Sequence, residues 1–289
     1  MEQGQLENAI ITASLKVHNY LNSTGVLKGL FEQLQITIRR NEQRNHINPL
    51  VRKGAKFFSQ NDEDGILLEI VRRCGIEGGT FVEFGVGDGL ENNTLILLMS
   101  GWRGHWFGGE TLAFNSEKTP RWGFEKTFIT AENVVQLYRI ALDHFMVDDI
   151  DAYSIDLDGN DIHITEKLFE AGYRPKICIC EYNAKFPPPI EFRLRYDPAF
   201  MWDGSTDYTA ASIQSYANVM NRYGYQLAAC NISGSNAFFV RDDYMGEFQD
   251  IPRNIADLYA PPNDGVLYTL NHKPSPRTIL SFITGENNA

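Results

Sequence analysis

From residue 60 onward the chain alternates between two hydrophobic rhythms. EDGILLEIVRRCG, HITEKLFEAGY and ASIQSYANVMNRYGY space their apolar residues three and four apart, which gives a helix one apolar face. Between such stretches lie short runs rich in β-branched and aromatic residues: GTFVEFGVG, GHWFGGE, IDAYSIDLDGND and PKICICEYN. These predict strands. EKTFITAENVVQLYRIALDHF reads as a further strand running into a helix, and ENNTLILLMSGW as a helix with Glu91 in its first turn. Strands separated by roughly 10 to 15 helical residues predict βαβ units and a mostly parallel sheet. QLAACNIS and NAFFVR are joined only through Ser233, Gly234 and Ser235, which suits a hairpin and so an antiparallel edge. The expected fold is α/β and Rossmann-like, with seven mostly parallel strands and an antiparallel terminal strand.

The first 50 residues follow a different pattern. LENAIITASLKVHNYL and GVLKGLFEQLQITIRR are amphipathic, are broken at Asn22 to Gly25, and lead into a polar linker containing Pro49. Residues 1–50 are therefore expected to form a helical extension, and residues 51–289 one domain with an irregular tail after about residue 245. Apolar helix stripes need burial. This predicts packing on the domain or on a second copy, hence a homo-oligomer assembled through the N-terminal helices.

Charge narrows the partners. A net charge of −11 and a pI near 5.0 argue against a dedicated nucleic-acid binder, which relies on clustered Lys and Arg. No apolar run approaches the roughly 20 residues needed to span a bilayer. The start, MEQGQLENAI, lacks the basic-then-apolar order of a secretory signal. No membrane insertion and a cytoplasmic location are expected. Cys178 and Cys180 alternate with isoleucine in KICICEY and should share one buried strand face; with Cys74 and Cys230 they read as reduced interior thiols.

The candidate chemistry starts in FVEFGVGDGLENN, residues 81–93. Gly85, Gly87 and Gly89 end a strand two residues after Glu83. A dinucleotide turn would read G-x-G-x-x-G; here the third glycine comes one position early, and a carboxylate beside the turn would repel a pyrophosphate. A cationic ligand with an amino-acid head suits this turn better. Glu110 ends the next strand 27 residues after Glu83, where an acid can accept both hydroxyls of a ribose. The plainer alternative makes both glutamates solvated strand ends.

The E-x-G-x-G-x-G run, with an acid closing the second strand, resembles the first motif of class I S-adenosylmethionine-dependent methyltransferases. SQNDEDGIL, VEFGVGDGLENNT and IDLDGND, in that order, are similar to the FkbM-like members, especially a bacterial subgroup associated with surface-polysaccharide synthesis. The likeness covers about residues 55–245. It implies S-adenosylmethionine as cofactor across Gly85 to Gly89, with Glu83 toward its amino-acid end, Glu110 on its ribose, and Ala131 and Glu132 near its adenine. It also implicates Gln60 and Asp64. Asp156-Leu157-Asp158-Gly159 departs from the D-x-E-G of many members.

Acids cluster at the next two strand ends: Asp156, Asp158 and Asp161, then Glu181 with Asn183. Asp156, Asp158, Glu181 and Asn183 form a candidate oxygen site for Mg²⁺ or another divalent cation. Alternatively, Asp158 or Asp156 acts as a metal-free general base, and His163 is a further candidate. Asp158 and Asp161 also fit a structural role as helix caps. His105 and His144 read as non-catalytic. The long segment AKFPPPIEFRLRYDPAFMWDGSTDYTAAS has the length of a functional loop. It carries Phe186, Tyr196, Phe200, Trp202 and Tyr208, with Arg193 and Arg195 as candidate phosphate grips; such a mixture suits a sugar or nucleotide-sugar substrate. Closing the sheet edge is the plainer use of its rings.

The expected activity is O-methyl transfer to a carbohydrate hydroxyl. Two rivals stand beside it. The D-x-D of Asp156 and Asp158 could hold a metal on the nucleotide of a glycosyltransferase substrate, or the chain could be a non-catalytic, methyltransferase-like subunit.

Overall fold

The computed structural model describes residues 25–114 and 117–262, with isolated positions between 12 and 23. The first expected helix therefore lies largely outside the described residues. Helix α1 (Val26–Asn45) follows Gly25, whose φ of 71° suits glycine at a helix start. Gln43 Nε2 donates to Asp62 Oδ2 at 3.3 Å, and Asn48 Nδ2 donates to the Ala228 carbonyl at 2.8 Å. Together they tether the extension to the domain.

The domain runs α2 (Glu63–Arg73), β1 (Thr80–Phe84), α3 (Leu95–Met99), β2 (Arg103–Gly108), β3 (Trp122–Lys126) and α4 (Val134–Phe145). It continues with β4 (Ala152–Ile155), α5 (Asp161–Glu170), β5 (Ile177–Glu181), α6 (Ile213–Arg222), β6 (Tyr225–Cys230), β7 (Asn236–Arg241) and α7 (Ile255–Leu258). The seven strands form one sheet in the order β3-β2-β1-β4-β5-β7-β6. The first five are parallel, and β7 is antiparallel to both β5 and β6. The hairpin expected from the sequence is present, but its antiparallel strand lies inside the sheet, with β6 at the edge. From β1 the chain winds outward to β3, then returns to start β4 on the other side of β1. A crevice opens at the carboxyl ends of β1 and β4, where the direction of winding reverses.

Strict alternation splits the core into two layers. Cys178 and Cys180 face α4, α5 and α6 with Tyr153, Ile155 and Phe239. Ile177 and Ile179 face the opposite layer, with Ile66, Ile70, Trp106 and Phe238. All four cysteines are buried and unpaired. Gly104 is required because a Cβ there would lie 1.9 Å from the Phe81 ring, which packs flat against β2. Burying such a ring stabilises the fold by about 1.5–3 kcal/mol.

Two local expectations need correction. The third strand is Trp122–Lys126 rather than EKTFIT, because Trp122 packs edge-on against Trp106 at 5.6 Å between centroids. Glu91 is not in the first turn of a helix, since α3 begins only at Leu95. The tail is partly regular as well: a 3₁₀ segment (Asp242–Phe248) covers the α2 face and α7 follows it. Beyond residue 262 the tail lies outside the described residues.

Candidate functional site

The crevice is a cavity of about 950 Å³. Gln60, Glu83, Gly85, Gly87, Glu110, Asp156, Asp158 and Glu181 all line it.

The glycine turn has a divided role. Gly85, at φ 96°, is forced by the protein itself: a Cβ there would overlap the Asp156 carbonyl oxygen, 1.7 Å away. Its N–H continues the sheet by donating to Phe107 O at 2.8 Å. Gly87, at φ 49°, has no atom within 4 Å of where its Cβ would stand. The first glycine locks β1 to β4, and the second leaves open space for a ligand. Gly89 is absent from the lining; a Cβ there would touch Leu112 and Phe114.

Glu83 is 3% exposed, and the structure corrects its expected role. Its carboxylate accepts from Asn93 N at 3.0 Å, Thr94 N at 3.1 Å, the Thr94 hydroxyl and Ser154 Oγ at 3.3 Å. Trp106 Nε1 completes the group by donating to Thr94 Oγ1 at 3.0 Å. Burial pushes its carboxyl pKa up, while these donors pull it back. Both oxygens are engaged by the protein, so Glu83 caps the segment entering α3 and shapes the turn from below.

The SQNDED segment divides in the same way. Asp64 Oδ2 accepts from the backbone N–H groups of Phe57, Phe58 and Ser59 at 2.6–3.0 Å. It does not line the cavity. It builds the loop that presents Gln60 there. Glu63 receives Asn231 Nδ2 at 2.6 Å, tying this loop to the hairpin end.

Asp156, Asp158 and Glu181 each offer an oxygen within 4.8 Å of the others. Asn183, the fourth expected ligand, is elsewhere: its Nδ2 donates to the Asp207 and Thr209 carbonyls, and its Oδ1 accepts from Lys185 N. Its amide therefore folds the long loop. Burial and neighbouring acids push Asp156 up to about 8, and burial and Asp156 raise Glu181 well above the carboxylate range. The two side chains hydrogen-bond and hold protons that ordinary carboxyls would release. Asp158 sits above them in the left-handed region at φ 56°, with its N–H donating to Glu181 at 3.2 Å. Asp161 accepts from Leu157 N and Gly159 N at 2.7 and 2.9 Å; its role is to brace the turn.

His163 is not in the crevice. Its Nε2 donates to the Leu194 carbonyl at 2.8 Å, and burial lowers its pKa, so the ring anchors the long loop. Ala131 and Glu132 are also displaced from the lining; Tyr196 Oη donates to Glu132 at 2.6 Å and accepts from Ala131 N at 3.1 Å. Phe128 and Ile129 line the cavity in their place. This shift of a few residues follows from β3 starting earlier than its pattern suggested.

The long loop packs partly on itself and partly along the cavity. Phe186, Phe192, Leu194 and Tyr208 form a small core of their own. Phe200, Met201 and Trp202 form a roof on the cavity. Gly159 admits this roof, since a Cβ there would lie 2.6 Å from Phe200. Arg193 pairs with Glu166 at 2.8 Å, and neither it nor Arg195 reaches the lining. The sequence reading also missed Asn92, which is 5% exposed, lines the cavity, and has no hydrogen-bond partner at its Nδ2. In ENN nothing marks the middle residue; only the fold aims its amide.

No family model matches the chain, and no curated protein matches it. Several solved structures are similar. A Lactococcus lactis protein named as a hemolysin is 16% identical, with a TM-score of 0.43, over 70% of this chain and 97% of its own. An O-methyltransferase family protein from Burkholderia thailandensis is 14% identical, with a TM-score of 0.37, over 61% of this chain and 55% of its own. The MycE methyltransferase of mycinamycin biosynthesis, solved with Mg, SAH and mycinamycin VI, is 11% identical, with a TM-score of 0.31, over 77% of this chain and 59% of its own.

Proposed function

We propose that the protein is an S-adenosylmethionine-dependent O-methyltransferase acting on a carbohydrate hydroxyl. The observation that carries this reading is the open approach at Gly87, in a cavity that also gathers Glu110 and Asp158 at neighbouring strand ends. A backbone bare of Cβ lets a ligand lie against it. Glu110 stands beyond β2 where a ribose would reach it. Asn92 supplies a neutral donor for the methionyl carboxylate, and Phe128 and Ile129 give the apolar wall for adenine. The resemblance to FkbM-like enzymes of surface-polysaccharide synthesis supports the sugar.

In the proposed reaction a lone pair of the acceptor hydroxyl forms the new O–C bond to the methyl carbon. The C–S bond breaks in line, its electrons returning to sulfur to leave neutral S-adenosylhomocysteine. The hydroxyl proton passes to the Asp158 carboxylate, the accessible acid of the cluster. Most of the rate then comes from holding donor and acceptor in line. Partial burial raises the basicity of Asp158, which favours proton acceptance. Three carboxylate oxygens within reach of one another also fit a hard cation. Bound there, Mg²⁺ would make the hydroxyl more acidic.

The glycosyltransferase reading is less well supported. It requires a nucleotide diphosphate beside Asp156 and Asp158, and no lysine or arginine among the described residues lines the cavity to grip one. Calorimetric titration with S-adenosylhomocysteine tests the choice directly. Binding with micromolar affinity is expected, and no binding with or without Mg²⁺ would remove the methyltransferase reading.

A further inference from the structure

The charges around the crevice have one sign. Four glutamates and three aspartates line it, and no lysine, arginine or histidine does among the described residues. The neighbouring cations are engaged by other residues. Lys185 lies 3.0 Å from Asp207, Arg193 is held by Glu166, and Lys126 donates to Thr111 at 2.7 Å. Lys56 lies 3.6 Å from the exposed Glu91 and offsets that one charge. Glu83 is committed to the protein beneath the turn, and the side chains of Asp156 and Glu181 hydrogen-bond to each other. Asp88, Glu110 and Asp158 are left facing the cavity with no ion-pair partner among the described residues.

The remaining side-chain donors of the lining are neutral. Asn92 Nδ2, buried and unpartnered, is one hydrogen-bond donor awaiting an oxygen. On the long-loop side of the cavity the indole of Trp202 is fixed by its N–H, which donates to Thr206 O at 2.8 Å, and Phe200 and Met201 line the same side. An aromatic roof over a carboxylate floor complements a sugar ring: its C–H face stacks above, and its hydroxyls, or an ammonium group, meet the acids below. With no metal bound, the same floor repels phosphate. Arginine forks are the usual partners of a diphosphate, and none lines this cavity among the described residues.

Resting on the methyltransferase reading, we infer that the acceptor is a phosphate-free glycoside, neutral or amine-bearing. The reaction that supplies it is therefore a glycosyl transfer that has already removed the nucleotide. Methylation follows sugar attachment. The hydroxyl attacks as described above, one proton leaves to Asp158, and any amine of the acceptor remains an ammonium ion.

The test uses the full chain. Binding of S-adenosylhomocysteine is measured first by calorimetry. Transfer of radiolabelled methyl from S-adenosylmethionine is then measured into three pools: methyl glycosides of common hexoses and deoxyhexoses, their amino-sugar counterparts, and the same sugars as nucleoside diphosphate conjugates. Label entering either glycoside pool at least about tenfold faster than the nucleotide pool is the expected result. Equal or faster labelling of the nucleotide pool overturns the inference. So does the absence of label from every pool in a protein that binds S-adenosylhomocysteine. Failure of that binding strikes the methyltransferase reading itself. Trp202→Ala should raise KM for the labelled glycoside about tenfold and leave S-adenosylhomocysteine affinity unchanged; an unchanged KM would remove the roof from acceptor binding.

Discussion

Gly85 and Gly87 stand two residues apart in one turn, yet alanine at each should fail in a different way. At Gly87 the added methyl meets nothing within 4 Å, so the fold loses only the cost of holding an L-residue at φ 49°. That cost is about 1–2 kcal/mol. For a domain of this size 1 kcal/mol corresponds to roughly 2–4 °C in Tm. The methyl projects into the space assigned to the cofactor, so S-adenosylhomocysteine affinity should fall at least about tenfold, or 1.4 kcal/mol. At Gly85 the methyl would stand 1.7 Å from the Asp156 carbonyl, which belongs to the backbone and cannot rotate away. β1 and β4 would have to part, which is among the rare losses above about 4 kcal/mol. Thermal unfolding and calorimetric titration separate the two cases. A Gly87→Ala protein that melts within a few degrees of wild type and binds S-adenosylhomocysteine equally well would refute the assignment of this turn as the cofactor cradle. A Gly85→Ala protein of normal stability would refute the packing argument.

Glu83→Ala should cost at least about 3 kcal/mol in denaturant unfolding, because the backbone donors of Asn93 and Thr94 lose their acceptor inside the protein. A loss confined to cofactor affinity would instead return Glu83 to a direct ligand role. Asp158→Asn should lower kcat by about 10²–10⁴ while S-adenosylhomocysteine still binds; full activity would exclude it as base. The raised pKa of Asp156 means that the folded state binds protons more tightly than the unfolded chain. Its contribution is complete below about pH 4, the ordinary carboxyl range, and is lost as pH rises through about 8. A cation at this cluster must displace those protons, so the rise in Tm on adding Mg²⁺ should be greater at pH 8.5 than at pH 6; equal shifts would argue against metal binding there. Deleting residues 1–45 should reduce the particle mass measured by light scattering to that of a monomer, since Leu30, Leu34 and Ile38 stand exposed on α1. An unchanged mass would place any self-association elsewhere.

Much of the fold can be read along the chain because its signals are local. A period of two in KICICE sends cysteines to one face and isoleucines to the other whatever the surroundings. The spacing of strands and helices implies parallel crossovers, and a three-residue connection implies the hairpin. The glycine turn and the acids at strand ends are visible for the same reason, since a left-handed turn favours glycine where it occurs. The sequence could not show which way a side chain faces after the chain turns. Glu83 belongs to the motif, yet it points beneath the turn at Thr94, while Asn92 lines the space above. Asn183 and His163 have the chemistry of a ligand and a base, but the long loop claims both through its own carbonyls. Asp156 and Glu181 are 25 residues apart in the chain; only the pairing of β4 with β5 brings them into contact and makes them share protons. The absence of lysine, arginine and histidine from the lining among the described residues is likewise tertiary. The chain has 26 lysines and arginines, and folding directs those near the crevice toward other acids.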